Sequence, residues 1–198
     1  DCRNPNVFVY DVASGREAMT YRGHDGVVLA TAVSPDGRWA ATGGGTGLEI
    51  HIWDLHTGER RKGVDSHPLM LGAQGQPVYA VGFSADGRNV EWGNSLRSGS
   101  TINDKGPLEH ALTLHTGDAL IAAPVSIGDG TVIRAVTELN GWSLEHRKGG
   151  AYGYDSAILD IKQHSRVVAS VERGTPNGYR HSAYTFTPDG ETIISGGA

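Results

Sequence analysis

Short runs of alternating apolar and polar residues, separated by turns rich in glycine, make up most of the chain. The clearest pair of runs, residues 27–33 and 38–42, flanks the turn Ser34-Pro35-Asp36-Gly37. Alternation with a period of two predicts β-strands that bury one face. Pro35 presets φ in the turn, and Gly37 can take the positive φ that other residues resist. The pattern therefore predicts antiparallel hairpins.

Turns of this kind recur along the sequence and divide it into similar units. They end at Gly37, Gly87, Gly130 and Gly190, which gives intervals of 50, 43 and 60 residues. A loose period of this length is typical of a repeat built from four short strands, with insertions accounting for the longer intervals. The sequence thus predicts an all-β repeat fold.

One unit, residues 23–63, contains every part of such a repeat. It begins at Gly23-His24, and strands are predicted over 27–33, 38–42 and 48–53, followed by a short outer strand from Glu59. Four antiparallel strands in about forty residues make one blade of a β-propeller.

Three parts of this unit together resemble a WD40 repeat: Gly23-His24, the turn ending at Gly37, and Ile52-Trp53-Asp54. In that family a histidine, an aspartate, a serine or threonine and a tryptophan form a hydrogen-bonded network that locks each blade. The resemblance implies these structural roles for His24, Thr42 and Trp53, with Asp54 completing the Trp-Asp pair. The turn at 44–46, where the family has its aspartate, holds no acid, so we expect an incomplete network.

The remaining units are less regular, but they are consistent with further blades. For the second blade we predict strands over 78–83, 88–92, 108–114 and 119–123, with a long insertion at 93–106. For the third we predict strands over 131–137, 142–147, 157–162 and 167–172. Asn140-Gly141 is a strong signal for a two-residue hairpin in the third blade.

The two ends of the sequence supply complementary halves of a fourth blade. Residues 182–187 and 191–195 predict its first two strands, and residues 6–11 and 17–21 predict its last two. The predicted fold is therefore a WD40 β-propeller over residues 1–198, with one blade divided between 1–22 and 182–198. Because WD40 rings usually have seven or eight blades, three arrangements remain open: a fragment of a larger propeller, a homodimer that completes an eight-bladed ring, or a self-closed ring of four blades.

A second resemblance concerns residues 82–94, 107–109, 171–174 and 184–186, which look like the WD40 regions attached to bacterial caspase-like peptidases. This resemblance implies a bacterial source and a sensing or docking role beside a separate peptidase domain.

Composition and charge narrow the classes of partner. A formal net charge of −5 argues against a nucleic-acid ligand, because phosphate binding needs a clustered excess of Lys and Arg. Cys2 is the only cysteine, which rules out an internal disulfide and favours the cytoplasm. No apolar stretch approaches the roughly 20 residues that span a bilayer, so we expect no membrane partner.

The sequence offers little catalytic chemistry. His51 and His56 are spaced so that their side chains leave the end of a strand in different directions, and the same holds for His110 and His115, so we expect no metal site. The glycine-rich turn 43–47 lacks the lysine and helix of a phosphate-binding loop. We therefore predict no cofactor and no enzymatic activity.

We assign structural roles, and not catalytic ones, to other polar residues. Asp36 and Asp189 recur at turns where aspartate is a good turn former, and His181 precedes a predicted first strand as His24 does.

A binding role is the function that remains. Propeller loops at one end of the blades form a rigid surface, and Tyr, Trp and Arg are frequent anchors of protein interfaces. The candidate binding residues in these loops are Asp25, Trp92, Asn94, Arg97, Asn177, Tyr179 and Arg180. We predict a non-catalytic scaffold or sensor module that binds a protein or peptide. The alternative is a small-ligand or hydrolytic site at the channel mouth, which would need inward-facing acids or histidines from several blades.

Overall fold

The computed structural model describes residues 5–44, 48–61, 70–72, 77–94, 110–113, 132–133, 135–149, 154–173 and 181–197. This part of the chain contains sixteen β-strands and no helix, which confirms the all-β prediction. The strands are β1 (Val7–Asp11), β2 (Glu17–Tyr21), β3 (Val28–Val33), β4 (Trp39–Gly44), β5 (Glu49–Asp54), β6 (Met70–Gly72), β7 (Ala80–Ser84), β8 (Asn89–Gly93), β9 (His110–Thr113), β10 (Val132–Ile133), β11 (Glu138–Leu139), β12 (Trp142–Gly149), β13 (Tyr154–Gln163), β14 (Arg166–Glu172), β15 (Ala183–Phe186) and β16 (Thr192–Gly196). No helix that could cross a membrane occurs among these residues.

The strands form four antiparallel sheets of four strands each. We call them the terminal sheet (β15-β16-β1-β2), the repeat sheet (β3-β4-β5-β6), the middle sheet (β10-β7-β8-β9) and the hairpin sheet (β11-β12-β13-β14). In the terminal sheet β1 pairs with β16, so the first and last strands of the chain lie side by side.

The pairing corrects one strand prediction. The predicted strand over 131–137 is not the first strand of the hairpin sheet, because Val132 and Ile133 pair with Ser84 and Phe83 of β7 in the middle sheet. The hairpin sheet begins instead at β11, directly before the Asn140-Gly141 turn. The predicted outer strand over 119–123 lies outside the described residues.

The outer strand of the repeat sheet is predicted in part. Next to Glu59, Arg60 forms an isolated bridge with Trp53 of β5, and Arg61 N donates to the Ile52 carbonyl oxygen at 2.7 Å. The regular fourth strand is β6, which pairs with the other end of β5, from Glu49 to His51.

Neighbouring sheets bury apolar faces against each other in three clusters. Ile50 and Ile52 of the repeat sheet share a core with Phe83 and Val90 of the middle sheet. Val7 and Val9 of the terminal sheet share another with Trp53 of the repeat sheet, and a third joins the terminal and hairpin sheets. Face-to-face packing of successive four-stranded sheets is the arrangement of propeller blades.

Close packing between sheets explains why two strand positions, 43 and 196, are occupied by glycine. A Cβ on Gly43 of β4 would lie 2.5 Å from Val78 Cγ1, and a Cβ on Gly196 of β16 would lie 2.6 Å from Val28 Cγ1. In both places a valine that leads into the next sheet packs on the glycine backbone, so a larger residue would push the sheets apart.

Several strands begin or end at one end of the sheets, and we call this end the loop face. It is defined by the described strand ends that flank the connections β2–β3, β4–β5, β6–β7, β8–β9, β12–β13 and β14–β15. In antiparallel four-stranded sheets, the turn after the second strand and the link to the next sheet leave from one end. The other end carries the tight turns with Asp36, Asp86 and Asp189.

The turn between β13 and β14 is a two-residue hairpin in which neither residue is glycine. His164 and Ser165 have φ values of 47° and 67°, a region that costs residues with a Cβ roughly 1 kcal/mol. The neighbouring Asn140-Gly141 turn has the same positive φ pair with the favoured residues.

We therefore expect Ser165→Gly to raise the free energy of unfolding by about 1 kcal/mol, because glycine takes this φ without strain. Ser165→Ala is the matched control, since alanine removes the hydroxyl but keeps the Cβ. Urea denaturation of both variants measures the effect. Equal stability of the glycine and alanine variants would show that the turn is not strained.

Candidate functional site

A buried hydrogen-bond network connects two strands of the repeat sheet and the loop that precedes it. His24 lies in the β2–β3 connection, Thr42 in β4 and Trp53 in β5, and all three side chains are buried. The Thr42 hydroxyl lies 2.7 Å from His24 Nε2 and accepts a hydrogen bond of 3.1 Å from Trp53 Nε1. These contacts are the ones implied by the WD40 resemblance.

The network has an acidic neighbour, although the sequence prediction found none. Glu49 Oε1 lies 3.8 Å from His24 Nδ1 and 2.8 Å from His51 Nε2. Glu49 is the first residue of β5, outside the turn in which an aspartate was sought. A signal for it exists in the sequence, since Glu49, His51 and Trp53 are spaced by two and share one face of the strand.

Aromatic rings enclose this polar cluster. Tyr21 stacks on Trp53 with ring centroids 4.5 Å apart, and its hydroxyl lies 2.7 Å from His51 Nδ1. The imidazoles of His24 and His51 stack at 4.1 Å, with 11° between their planes. The sequence prediction missed both Tyr21 and His51, because they belong to the cluster only through pairing between distant segments.

Burial sets the ionisation of the cluster. It lowers the pKa of His24 to about 3, with the nearby His51 and Arg60 adding to the effect. Burial together with Arg60 lowers the pKa of His51 to about 4. Burial and the charge of Asp25 raise the pKa of Glu49 above its usual value. Both imidazoles are therefore neutral at pH 7, with lone pairs available as acceptors or ligands.

The terminal sheet contains a counterpart of this network. His181 precedes β15, and its Nδ1 lies 2.7 Å from Ser195 Oγ in β16, the second strand of that sheet. His181 Nε2 lies 3.1 Å from the carbonyl oxygen of Val171 in the hairpin sheet. His181 thus ties two neighbouring sheets together, while His24 acts within its own.

The predicted structural aspartates are all bonded within turns. Asp54 Oδ1 accepts from the backbone N–H groups of His56 and Thr57 at 2.8 and 3.1 Å. Although partial burial opposes ionisation, these bonds and the contact with Arg38 hold the pKa of Asp54 below its usual value. The carboxylate therefore remains an acceptor that closes the turn after Trp53.

Asp36 and Asp189 close turns at the same end of the sheets as Asp54, which is the end opposite the loop face. Asp36 Oδ1 accepts from Ser34 Oγ at 2.5 Å, and Asp189 Oδ1 accepts from Thr187 Oγ1 at 2.5 Å. The following glycines have φ values of 73° and 75°. These turns place no acid at the loop face.

The structure describes three of the predicted binding residues, and only one of them is an exposed loop residue. Asp25 is exposed in the β2–β3 connection. Asn94 is half-buried, and its Nδ2 donates a 2.9 Å hydrogen bond to the carbonyl oxygen of Pro77. Arg97, Asn177, Tyr179 and Arg180 lie outside the described residues.

The prediction that Trp92 lies in an exposed loop is wrong. Trp92 is inside β8, is 7% exposed, and belongs to the core between the repeat and middle sheets. It pairs with Val81 of β7, which carries its side chain into the packed region. Trp92 is therefore a core residue.

Comparisons with known proteins agree with this description. Residues 15–54 match the family described as WD domain, G-beta repeat. The chain is 27% identical over 84 residues to autophagy-related protein 18 of Saccharomyces cerevisiae, covering 42% of this chain and 16% of that protein. It is 48% identical over 40 residues to ribosome biogenesis protein erb1 of Botryotinia fuckeliana, covering 20% of this chain and 5% of that protein. The matched segments thus span a sixth or less of these relatives.

Solved structures with a similar chain path include the β-propeller domain of Cps50 (Swd1) from Myceliophteria thermophila. That match has 13% identity and a TM-score of 0.40, covering 93% of this chain and 53% of the other. A chain of the mitotic checkpoint complex matches with 17% identity and a TM-score of 0.44, covering 99% and 57%. Residues 15–54 match a WD40 repeat, and the successive four-stranded sheets around them have the arrangement of a β-propeller fold.

Proposed function

We propose that the chain is a non-catalytic interaction module that binds a protein or peptide partner through its loop face. The observation that carries this proposal is the set of hydrogen bonds that anchor the described ends of the loop-face connections. A loop surface held on a rigid scaffold is a recurring way to build a binding site.

The anchoring bonds cross between sheets as well as within them. Val78 N donates to the Gly44 carbonyl oxygen at 3.1 Å, which joins the entry of the middle sheet to β4 of the repeat sheet. Asn94 and Pro77 are bonded at the base of the β8–β9 connection. At the base of the β14–β15 connection, the buried Arg173 guanidinium donates to the Asn6 carbonyl oxygen at 3.0 Å.

The buried hydroxyl groups argue against a hydrolytic role. Thr42 and Ser195 each contact a buried imidazole, as a nucleophile would, but both are fully buried in the centre of a sheet. A substrate could not reach either oxygen without opening the sheet. These pairs therefore support structural roles.

The alternative function, a ligand site at the mouth of a channel, needs polar groups contributed by several blades. In the cluster of His24, Glu49 and His51, the last two residues lie on β5 of the repeat sheet, and His24 lies in the β2–β3 connection that precedes this sheet. This origin favours the interaction module.

Partner binding by loop-face variants tests the proposal. We expect the double variant Arg97→Ala/Arg180→Ala to weaken binding of a partner identified by cross-linking at least tenfold, since interface arginines commonly contribute more than 1 kcal/mol each. Arg88→Ala is the control, because its exposed side chain lies at the opposite end of the sheets. Equal affinity of the double variant and the control, measured by calorimetry, would contradict a loop-face site.

The wider setting of the module is also proposed. We propose a cytoplasmic location, on the basis of the single cysteine, and a docking role beside a bacterial caspase-like peptidase, on the basis of the sequence resemblance. We further propose that the chain forms part of a larger propeller. The mass of the purified chain in solution tests this, since a dimer would support a paired eight-bladed ring, whereas a stable monomer would support self-closure and contradict the proposal.

A further inference from the structure

Three groups with metal-ligating atoms converge where the loop face meets the repeat sheet. One imidazole nitrogen of His24, one of His51 and a carboxylate oxygen of Glu49 all lie within 4.8 Å of one another. The nitrogens near Glu49 Oε1 are His24 Nδ1, at 3.8 Å, and His51 Nε2, at 2.8 Å. His24 lies in the connection before β3, whereas Glu49 and His51 lie two residues apart on one face of β5. The fold, and not a sequence motif, therefore assembles this donor set.

The opposite nitrogen of each imidazole already has a partner. Thr42 Oγ1 lies 2.7 Å from His24 Nε2, and the Tyr21 hydroxyl lies 2.7 Å from His51 Nδ1. In metal sites, a hydrogen bond to the second ring nitrogen fixes the orientation and the tautomer of a ligating histidine. Here these bonds leave His24 Nδ1 and His51 Nε2 on the side of the Glu49 carboxylate.

One of these facing nitrogens has no well-formed hydrogen bond. His51 is fully buried, and its Nε2 lies 2.8 Å from Glu49 Oε1 without the angle that a hydrogen bond requires. A buried nitrogen in this condition is unusual and calls for a functional explanation. A cation between the imidazole and the carboxylate would satisfy both.

We propose that His24, Glu49 and His51 form a binding site for a divalent transition metal, with Zn²⁺ as the best match. Two imidazole nitrogens and one carboxylate oxygen are a donor set that suits Zn²⁺. Both imidazoles are neutral at pH 7, as ligation requires. The bound metal would tie the β2–β3 connection to β5 and so stiffen the loop face.

Ligation requires the three side chains to rearrange. The ligand atoms of a tetrahedral zinc ion lie about 3.4 Å apart when the bonds are about 2.1 Å. His51 Nε2 has to withdraw slightly from Glu49, and His24 Nδ1 has to approach it. The two imidazoles also have to tilt out of their nearly parallel stack. The Glu49 side chain, which is 10% exposed, is the side from which the metal enters.

Zinc titration followed by calorimetry tests the site. We expect the full chain to bind one equivalent of Zn²⁺, and we expect Glu49→Gln and His51→Gln each to weaken that binding at least tenfold. His56→Gln is the matched control, because His56 is close in sequence but its side chain is 79% exposed. Zinc binding of unchanged affinity in both ligand variants would show a surface site elsewhere and overturn the proposal.

A measurement on the unaltered chain keeps the test independent of how the variants fold. Zn²⁺ should shift the ¹⁵N resonances of His24 Nδ1 and His51 Nε2 and leave those of His56 in place. Co²⁺ should show the d–d absorption of a tetrahedral complex. Unshifted His24 and His51 resonances at saturating Zn²⁺ would equally overturn the proposal.

Discussion

Replacing Thr42 with valine will lower the free energy of unfolding by about 3 kcal/mol. The Thr42 hydroxyl is the shared partner of His24 Nε2 and Trp53 Nε1, and all three residues are buried. Valine keeps the shape of the side chain but leaves both nitrogens without their partner. A buried polar group that loses its partner costs about 1 to 3 kcal/mol, and two groups are affected here.

Thr31→Val is the matched control for this prediction. Thr31 pairs directly with Thr42 in the β3–β4 ladder and is also buried, but its Oγ1 has no hydrogen-bond partner in the described part of the chain. Removing that hydroxyl should leave stability unchanged or raise it by up to about 1 kcal/mol. Urea denaturation of the two variants measures the difference, and equal stability would contradict a stabilising role for the network.

Features set by neighbouring residues were the most predictable from the sequence. The turns at Asp36, Asp86 and Asp189 share one pattern, in which the carboxylate accepts from a hydroxyl two residues earlier and from a backbone N–H two residues later. All of these partners lie within a few positions of one another. The residue types alone are therefore enough to indicate the turn.

Features that depend on pairing between distant segments were predicted less well. Val132 and Ile133 lie close to the strands of the hairpin sheet in sequence, yet they pair with β7, almost fifty residues earlier. Alternation indicates that a segment is a strand, but it does not specify the partner strand. The two-residue β10 was for that reason assigned to the wrong sheet.

The candidate site was predicted in part for the same reason. His24, Thr42 and Trp53 follow from the resemblance to a WD40 repeat, whereas Glu49 and His51 occupy positions that the resemblance does not mark. Trp92 was predicted both as the last residue of the strand over 88–92 and as a binding residue of the loop that follows it. Its spacing of two from the buried Val90 is the signal that would have assigned it to the core.

Acidification will destabilise the chain through His181, by about 2 kcal/mol between pH 7.5 and pH 5. Burial and the positive charge of Arg173 lower the pKa of His181 to about 3, with a smaller effect of His146 in the same direction. Its Nε2 donates to the Val171 carbonyl oxygen, so Nδ1 is the nitrogen that accepts from Ser195 Oγ. These two hydrogen bonds therefore require the neutral form of the His181 imidazole.

The sign of this effect follows from proton linkage. Below about pH 6.5 the unfolded chain takes up a proton at His181 that the folded chain does not take up until its pKa near 3. The contribution of His181 to stability is therefore complete above pH 6.5 and is lost as the pH falls toward 3. At pH 5 the loss is about 2 kcal/mol for any folded pKa well below 5.

Urea denaturation at pH 7.5 and pH 5 of the unaltered chain and of His181→Gln isolates this contribution from those of other groups. The variant is less stable at pH 7.5, because glutamine does not reproduce both bonds of the imidazole, but it should lose about 2 kcal/mol less on acidification. His56→Gln is the control for removing a histidine that is not buried, since its side chain is 79% exposed. A loss on acidification as large in His181→Gln as in the unaltered chain would mean that His181 does not couple folding to pH. The expected result would instead show that the buried imidazole of His181, which lies between the terminal and hairpin sheets, makes the stability of their contact depend on pH.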